Sequence, residues 1–246
     1  MPLEQPPMKG VILAAGFGNR LKPLTQKTPK PLLPFLGKPI LYHLLESFLE
    51  VGITQVMINA HYLWQEIEKF IKKIDLPMEI SLSVEKEKIL GTGGAYAMMS
   101  NWRQGADVLA MNGDIFHKFN LPLFINKHYQ SRNYASMALT PQPLEQETTL
   151  WAHNETLLNF GKQTKAEATP HGFACLQILS DSFLKQIPPE TSTSIIPFYN
   201  KALSQEKSIG AYPDPGFWAD IGTPQKYFQS QCLYLKTLSQ KIMTKR

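Results

Sequence analysis

The sequence predicts an α/β fold in which a mostly parallel mixed sheet carries helices on both faces. Short apolar runs of strand length alternate with helical patterns through residues 10–140, and this alternation is typical of parallel βαβ units. A glycine-rich segment follows the first apolar run directly. Repeats and low-complexity linkers are absent from the 246 residues, so we expect a single domain over residues 1–246.

The first half of the chain supplies the parallel part of the sheet. Four apolar runs have the length of buried strands and lie at residues 10–15, 55–60, 79–85 and 108–111. Helical periodicity fills the intervals between them, at residues 39–51, 63–74 and 93–101. A helix at 121–130 and a strand at 134–140 continue the pattern. Because open α/β sheets bind ligands at the carboxyl ends of their strands, we expect the site there.

The second half is less regular. Residues 149–160 predict a hairpin that turns at His153 and Asn154, and residues 172–179 predict another apolar strand. Three further segments have helical character, namely an amphipathic stretch at 182–187, a helix at 198–203 and a C-terminal helix at 227–236.

The composition favours an anionic small molecule as partner. The net charge is +5 and the pI is about 9.0, although a modest positive charge also serves solubility alone. The basic residues are spread out and are not interleaved with aromatic residues, so we expect no nucleic-acid partner. Apolar runs are too short to span a bilayer and no secretion signal is recognisable, so we expect no membrane partner and a cytoplasmic location. Cys175 and Cys232 have neither metal-binding nor redox spacing.

A loop rich in glycine, arginine and lysine follows the first predicted strand. Gly16 and Gly18 allow backbone N–H groups to approach a ligand closely, which makes an anion-binding nest. Arg20 and Lys30 are suited to phosphate oxygens. The neighbouring prolines disfavour a regular helix, and we expect them to hold the loop extended; they are Pro23, Pro29, Pro31 and Pro34. Neither a P-loop nor a complete GxGxxG fingerprint is present.

Three later motifs add to this loop. A second glycine-rich turn, LGTGG at residues 90–94, opens a helix. The motif NGD at 112–114 follows a strand, where the aspartate is placed to hold Mg²⁺. The motif WADIGTP at 218–224 supplies Asp220 before the last helix. Taken singly, each of these is also compatible with an ordinary turn or helix cap.

Together the motifs LAAGFGNRLKPLT, TPKPLLP, LGTGGA, NGD and WADIGTP resemble those of the sugar-1-phosphate nucleotidylyltransferases, also called NDP-sugar pyrophosphorylases. They occur in the family's order over nearly the whole chain. The resemblance implies the Rossmann-like fold of nucleotide-diphospho-sugar transferases. It also implies an enzyme that transfers a nucleoside monophosphate from an NTP to a sugar 1-phosphate and releases pyrophosphate. Relatives of this kind are often homo-oligomers.

The resemblance also implies roles for individual residues. Arg20 and Lys30 would be catalytic through charge neutralisation. Asp114 and Asp220 would ligate Mg²⁺, which the resemblance implies as cofactor. Nucleotide contacts would come from both glycine-rich motifs, through Leu13, Ala14, Ala15, Gly16, Gly18, Asn19, Gly91, Thr92 and Gly93. Sugar-phosphate contacts would come from Asn112, Gly113 and Lys162.

The substrate pair is an open choice at this level. Segments 58–63, 173–180 and 194–203 resemble enzymes that activate N-acetylmuramic acid 1-phosphate with UTP, which is our first expectation. Short guanylyltransferases for mannose or heptose 1-phosphate share much of the same pattern and are the alternative. A non-catalytic nucleotide-sugar sensor and a phosphocholine cytidylyltransferase are further alternatives.

Three residues depart from the family pattern. Asn19 stands where threonine or serine is usual, and Cys175 stands where glycine is usual near the sugar. Gly161 replaces an acidic residue that often precedes the lysine equivalent to Lys162.

Overall fold

The computed structural model describes residues 7–144, 148–214 and 216–243. The described strands form one nine-stranded mixed sheet and two small two-stranded sheets. The α/β class is therefore confirmed. None of the described helices is long and apolar enough to cross a membrane.

The amino-terminal half builds the parallel side of the sheet. Its strands are β1 (Met8–Ala14), the short β2 (Pro34–Phe35) and β3 (Lys38–Pro39), then β4 (Gln55–Ala60), β5 (Glu79–Val84), β6 (Asp107–Asn112) and β7 (Ile115–His117). Its helices are α1 (Ile40–Glu50), α2 (Trp64–Ile71), α3 (Gly91–Met98) and α4 (Ser100–Arg103). β1 lies between β4 and β6, and both pairings are parallel. The predicted alternation of strands and helices is found here.

The carboxy-terminal half continues the same sheet. Its helices are α5 (Leu121–Gln130), α6 (Asp181–Leu184), α7 (Ile196–Ser204) and α8 (Pro224–Met243). Its strands are β8 (Ala135–Thr140), β9 (Leu150–His153), β10 (Thr156–Phe160), β11 (Thr169–Leu179), β12 (Ile209–Pro213) and β13 (Trp218–Asp220). β9 and β10 form the expected hairpin. The amphipathic stretch at 182–187 yields only the four-residue helix α6.

β11 joins the two halves of the sheet. The strand order is β5-β4-β1-β6-β11-β8-β12-β10-β9. β11 runs antiparallel to both β6 and β8, and its first residues also pair with β9. Parallel pairing is therefore concentrated among β5, β4, β1 and β6, with one further parallel pair between β8 and β12.

Alternation along the inner strands creates a core on each face of the sheet. Val11 packs on one face with Tyr96 of α3 and Tyr199 of α7. Ile12, the next residue, packs on the other face with Leu44 of α1. Because successive side chains of a strand point to opposite faces, a strand buried on both sides reads as a continuous apolar run. This explains why the first strand was recognisable from its composition alone.

Candidate active site

A cavity of about 220 Å³ opens at the carboxyl ends of the parallel strands. Residues from the ends of β1, β4, β5 and β6 line it together with the start of α3. They are Leu13, Ala15, Gly16, Asn59, Glu85, Ile89, Gly91, Thr92, Ala95, Asn112 and Asp114. The cavity lies where an open α/β sheet is expected to bind its ligand.

The first glycine segment, residues 16–19, is open toward solvent. A Cβ atom built on Gly16 would meet no atom within 4 Å. Gly18 has a φ of 65°, a left-handed conformation that glycine adopts without strain. The Thr25 hydroxyl donates to the Gly18 carbonyl oxygen at 2.8 Å and fixes the turn. The hydrogen bond from Thr25 thus fixes the segment on one side, while the side at Gly16 stays accessible to solvent.

The loop that follows departs from the predicted extended conformation. Short 3₁₀ turns form at Asn19–Leu21 and Lys30–Leu32. Pro29 precedes the second turn and Pro31 lies within it, because a proline is tolerated in the first helical positions, where its missing N–H has no partner to lose. The loop therefore contains two tight turns and is not extended.

Lys30 and Asp114 form an ion pair beside the cavity. Lys30 Nζ lies 2.6 Å from Asp114 Oδ2, and the Lys30 side chain is 10% exposed. The Gly113 N–H donates to the Leu13 carbonyl oxygen at 2.8 Å, so the residue before Asp114 is fixed to the end of β1. A Cβ atom on Gly113 would lie 3.1 Å from that same oxygen. Gly113 therefore positions Asp114 by packing closely against β1. Its own N–H is already bonded to the Leu13 carbonyl oxygen.

Asp220 is brought next to Asp114 by a two-stranded sheet. β13 pairs with β7 so that Asp220 lies opposite Ile115. The Ile221 N–H donates to the Asp114 carbonyl oxygen at 3.0 Å. Asp220 is itself paired with Lys226, whose Nζ lies 2.8 Å from Asp220 Oδ2. Residues separated by more than 100 positions in the chain thus become backbone neighbours.

Arg20 belongs to the same region. Its Nη2 atom lies 3.3 Å from the position that a Cβ on Gly222 would occupy, and both Asp220 carboxylate oxygens lie 2.9 Å from that position. The Arg20 side chain is exposed, in contrast to Lys30. The turn after β13 therefore gathers one guanidinium and one carboxylate at the start of α8.

The second glycine segment, residues 91–94, begins α3 as predicted, but its glycines serve mainly protein packing. The N–H of Gly93 donates to the Thr193 carbonyl oxygen at 2.9 Å. The Thr92 hydroxyl accepts from the Ile195 N–H at 2.9 Å. Gly91 and Thr92 line the cavity, whereas the buried Gly93 is directed at Thr193.

Two other predicted site residues lie away from the cavity lining. Ala14 is 4% exposed and packs into the core behind the strand end. Lys162 is exposed and follows β10, with its carbonyl oxygen accepting from the Asn159 side-chain amide. Alternate strand positions point to opposite faces, which explains why Leu13 and Ala15 reach the cavity and Ala14 does not.

A buried acid that the motifs did not single out also lines the cavity. Glu85 is 3% exposed. Its carboxylate accepts from the Asn59 side-chain amide at 2.8 Å and from the Leu90 N–H at 2.8 Å. The signal in the sequence is positional, since Asn59 and Glu85 stand at the carboxyl ends of neighbouring predicted strands.

His117 contributes no charge to this region at neutral pH. It lies in β7 and is 4% exposed, and burial lowers its pKa to about 4. Its Nδ1 atom accepts from the Phe119 N–H at 3.3 Å. The charges of this region therefore come from the Glu85 carboxylate, the ion pairs of Asp114 and Asp220, and Arg20.

The two carboxylates near the cavity have the chemistry that would suit a hard divalent cation. Within the described residues, no group of three or more His, Cys, Asp and Glu side chains is arranged to hold a metal. Asp114 and Asp220 offer carboxylate oxygens without nitrogen or sulfur donors. Mg²⁺ is usually bound by one or two carboxylates, waters and substrate phosphates, so this pair fits Mg²⁺ better than Zn²⁺.

Cys175 stands in a strained position of β11. Its φ is 59°, in the left-handed region that favours glycine. The pairing of β11 with β8 shifts register between Phe173 and Gln177, around this residue. The neighbouring Ala174 carbonyl oxygen accepts from the Trp218 ring N–H at 2.8 Å. The strain gives a physical reason why glycine is usual at this position of the family pattern.

Comparisons with known proteins support the family resemblance that the sequence motifs indicated. The chain is 30% identical over 239 residues to "Mannose-1-phosphate guanylyltransferase catalytic subunit beta" of Drosophila melanogaster, covering 95% of this chain and 64% of that protein. It is also 30% identical over 244 residues to "Mannose-1-phosphate guanyltransferase beta-A" of Xenopus laevis, covering 95% of this chain and 66% of that protein. The chain thus spans just under two thirds of the length of these curated relatives.

Solved structures share the fold. A putative glucose-1-phosphate thymidylyltransferase from Bacillus anthracis, solved in complex with a sucrose, superposes with a TM-score of 0.78 at 19% identity. The match covers 92% of this chain and 94% of that one. A family model described as nucleotidyl transferase matches residues 9–149, which include Lys30 and Asp114. The chain therefore belongs to the nucleotidyl transferase family.

Proposed function

We propose that this protein transfers a nucleoside monophosphate from an NTP to a sugar 1-phosphate and releases pyrophosphate. The observation that carries the proposal is the Lys30–Asp114 pair, which stands beside a cavity at the strand ends and next to the open first glycine segment. A cation, an acid and accessible backbone amides are the groups that transfer of a nucleotidyl group from an NTP to a phosphate requires. We further propose that residues 1–246 act as one catalytic domain.

The positions of the groups support a division of labour. The cavity lined by Leu13, Gly91 and Thr92 would take the base and ribose. The first glycine segment would direct backbone N–H groups at the phosphates. Lys30 would hold the α-phosphate in line, and Arg20 would neutralise charge on the departing pyrophosphate. The attacking sugar phosphate is already an anion, so this scheme needs neither a protein base nor a covalent intermediate.

Asp114 and Asp220 would hold Mg²⁺. When bound, the ion would supply positive charge that stabilises the pentacoordinate transition state at the α-phosphorus. Asp114 is the better placed of the two, since it lines the cavity and its side chain is 35% exposed. Asn112, also in the cavity lining, and Lys162 remain proposed contacts of the sugar phosphate.

For the substrates we propose GTP and mannose 1-phosphate, with heptose 1-phosphate as the alternative sugar. The relatives at 30% identity are named as mannose-1-phosphate guanylyltransferases, which favours guanylyl transfer over our first expectation of UTP and N-acetylmuramic acid 1-phosphate. The product would be a nucleotide sugar, a precursor for cell-wall or polysaccharide synthesis. Its soluble substrates favour a cytoplasmic location.

The test is pyrophosphate release with Mg²⁺ across UTP, GTP, CTP, dTTP and ATP. Each nucleotide is paired with the 1-phosphates of mannose, heptose, glucose, N-acetylglucosamine and N-acetylmuramic acid. We expect release that requires GTP and mannose or heptose 1-phosphate together and that is lost in Asp114→Ala. Release with UTP and N-acetylmuramic acid 1-phosphate would overturn the guanylyl assignment. Tight nucleotide binding without release from any pair would replace the enzyme with a nucleotide-sugar sensor.

A further inference from the structure

The Asp220 carboxylate has a lysine partner that none of the family motifs requires. Lys226 lies in the first turn of α8, six residues after Asp220, and its Nζ atom lies 2.8 Å from Asp220 Oδ2. The Lys226 backbone N–H donates to the Thr223 hydroxyl at 3.2 Å, so the start of the helix fixes the base of the lysine side chain. The contact is thus built by the turn between β13 and α8.

The two lysine–aspartate pairs of the site have opposite exposure. Lys30 is 10% exposed and its partner Asp114 is 35% exposed, whereas Lys226 is 52% exposed and its partner Asp220 is 17% exposed. The Lys226 ammonium regains full hydration when it turns away, so its contact with Asp220 breaks at small cost. Lys30 is enclosed by protein and has no comparable escape.

We propose that Lys226 is a replaceable counter-ion of Asp220, which holds the carboxylate in the metal-free protein and is displaced when a divalent cation binds. The inference rests on the proposed function, in which Asp220 is a ligand of Mg²⁺. A divalent cation bound to the Asp220 carboxylate would repel an ammonium 2.8 Å from Oδ2. Lys226 therefore raises the cation concentration at which the site fills.

The proposal predicts a gain of metal affinity on removing one lysine. Lys226→Met keeps the apolar stem and removes the charge, and we expect it to bind Mn²⁺ roughly three-fold more tightly, the scale of one exposed ion pair. Lys226→Arg keeps a cation at the position and is expected to bind Mn²⁺ like the wild type. Lys236→Met is the matched control, because it removes the same charge from α8 about three turns away.

Mn²⁺ binding to the nucleotide-free full chain, measured by electron paramagnetic resonance of the free ion, decides between the outcomes. Tighter binding by Lys226→Met alone supports the proposal. Equal affinity of Lys226→Met and wild type overturns it, and so does an equal gain in Lys236→Met, which would reflect net charge only.

Asp114→Asn and Asp220→Asn separate this inference from the function it rests on. If they abolish binding while Lys226→Met changes nothing, the metal site stands and the counter-ion role fails. If Asp220→Asn binds Mn²⁺ like the wild type, or if no variant binds it, Asp220 is not a metal ligand and both assignments fail.

Discussion

The two glycine segments border the same cavity but use glycine for opposite reasons. In the first segment, a Cβ on Gly16 would meet nothing within 4 Å. In the second, a Cβ on Gly94 would lie 2.6 Å from the Thr191 carbonyl oxygen, and one on Gly91 would lie 2.7 Å from that of Thr193. The first segment leaves room for a ligand, and the second leaves room for the protein's own backbone. Glycine content alone therefore does not identify a ligand loop.

The largest expected effect is on catalysis, beside the first segment, where Lys30 packs against Gly18. Lys30→Ala removes the charge that the proposed mechanism directs at the phosphates, and we expect kcat/KM to fall about 100-fold or more, which is about 3 kcal/mol of barrier. Steady-state pyrophosphate release measures the loss, and far-UV circular dichroism checks the fold. Lys27→Ala, an exposed lysine of the same loop, is the control. A folded Lys30→Ala protein with near-normal turnover would remove Lys30 from the mechanism.

The next effect is on stability, in the second segment. Gly94→Ala places a methyl group against the Leu90 Cβ at 2.5 Å and the Thr191 carbonyl oxygen at 2.6 Å. We expect the free energy of unfolding to fall by about 2 kcal/mol, because backbone on one side must shift. Urea denaturation followed by fluorescence gives this value. A loss below about 0.5 kcal/mol would show that the 191–194 segment yields easily.

A smaller effect on stability is expected at Thr92, whose side chain joins the second glycine segment to Ile195. Thr92→Val removes the hydroxyl that accepts from the Ile195 N–H and leaves that donor without its partner. We expect a loss of about 1 kcal/mol in the free energy of unfolding. Thr92→Ser, which retains the hydroxyl, is expected to recover most of it. Equal losses in both variants would point to packing of the methyl group instead.

The smallest effect on stability is expected at Gly16. Gly16→Ala has space for the added methyl group, so we expect the free energy of unfolding to rise by about 0.5 kcal/mol, through a less flexible unfolded chain. The KM for the nucleotide should rise, since the methyl group occupies space left for the phosphates. Urea denaturation and nucleotide titration of the same sample measure the two quantities. A Gly16→Ala protein as unstable as Gly94→Ala would erase the contrast between the segments.

Strand ends were the most informative feature of the sequence for the site. Apolar runs located β1, β4, β5 and β6, and the parallel arrangement then implied that their polar end residues meet. The structure brings Leu13, Gly16, Asn112 and Asp114 together in the lining of one cavity. What remained hidden depends on distant partners. The bond between Asn59 and Glu85 needs the register of β4 against β5.

Other features escaped prediction for the same reason. The packing role of Gly93 depends on Thr193, about 100 residues away in the chain. The position of Asp220 beside Asp114, which only the family resemblance implied, depends on the pairing of β13 with β7. The sequence of the NGD motif does not indicate where the WADIGTP motif lies in the fold, and the reverse is also true. Local patterns report propensity and burial, whereas such contacts are fixed only when the whole sheet is assembled.

The position of β11 has a consequence for how the chain is made. β6 borders β1 on one side, and on the other it is covered by β11, where Leu176 pairs with Met111. During synthesis, the parallel half leaves the ribosome with that edge of β6 uncovered until β11 emerges. An uncovered inner edge invites pairing with other chains, and such late, non-local closure slows folding. A fragment ending near residue 149 would carry Lys30 and Asp114, yet we expect it to aggregate.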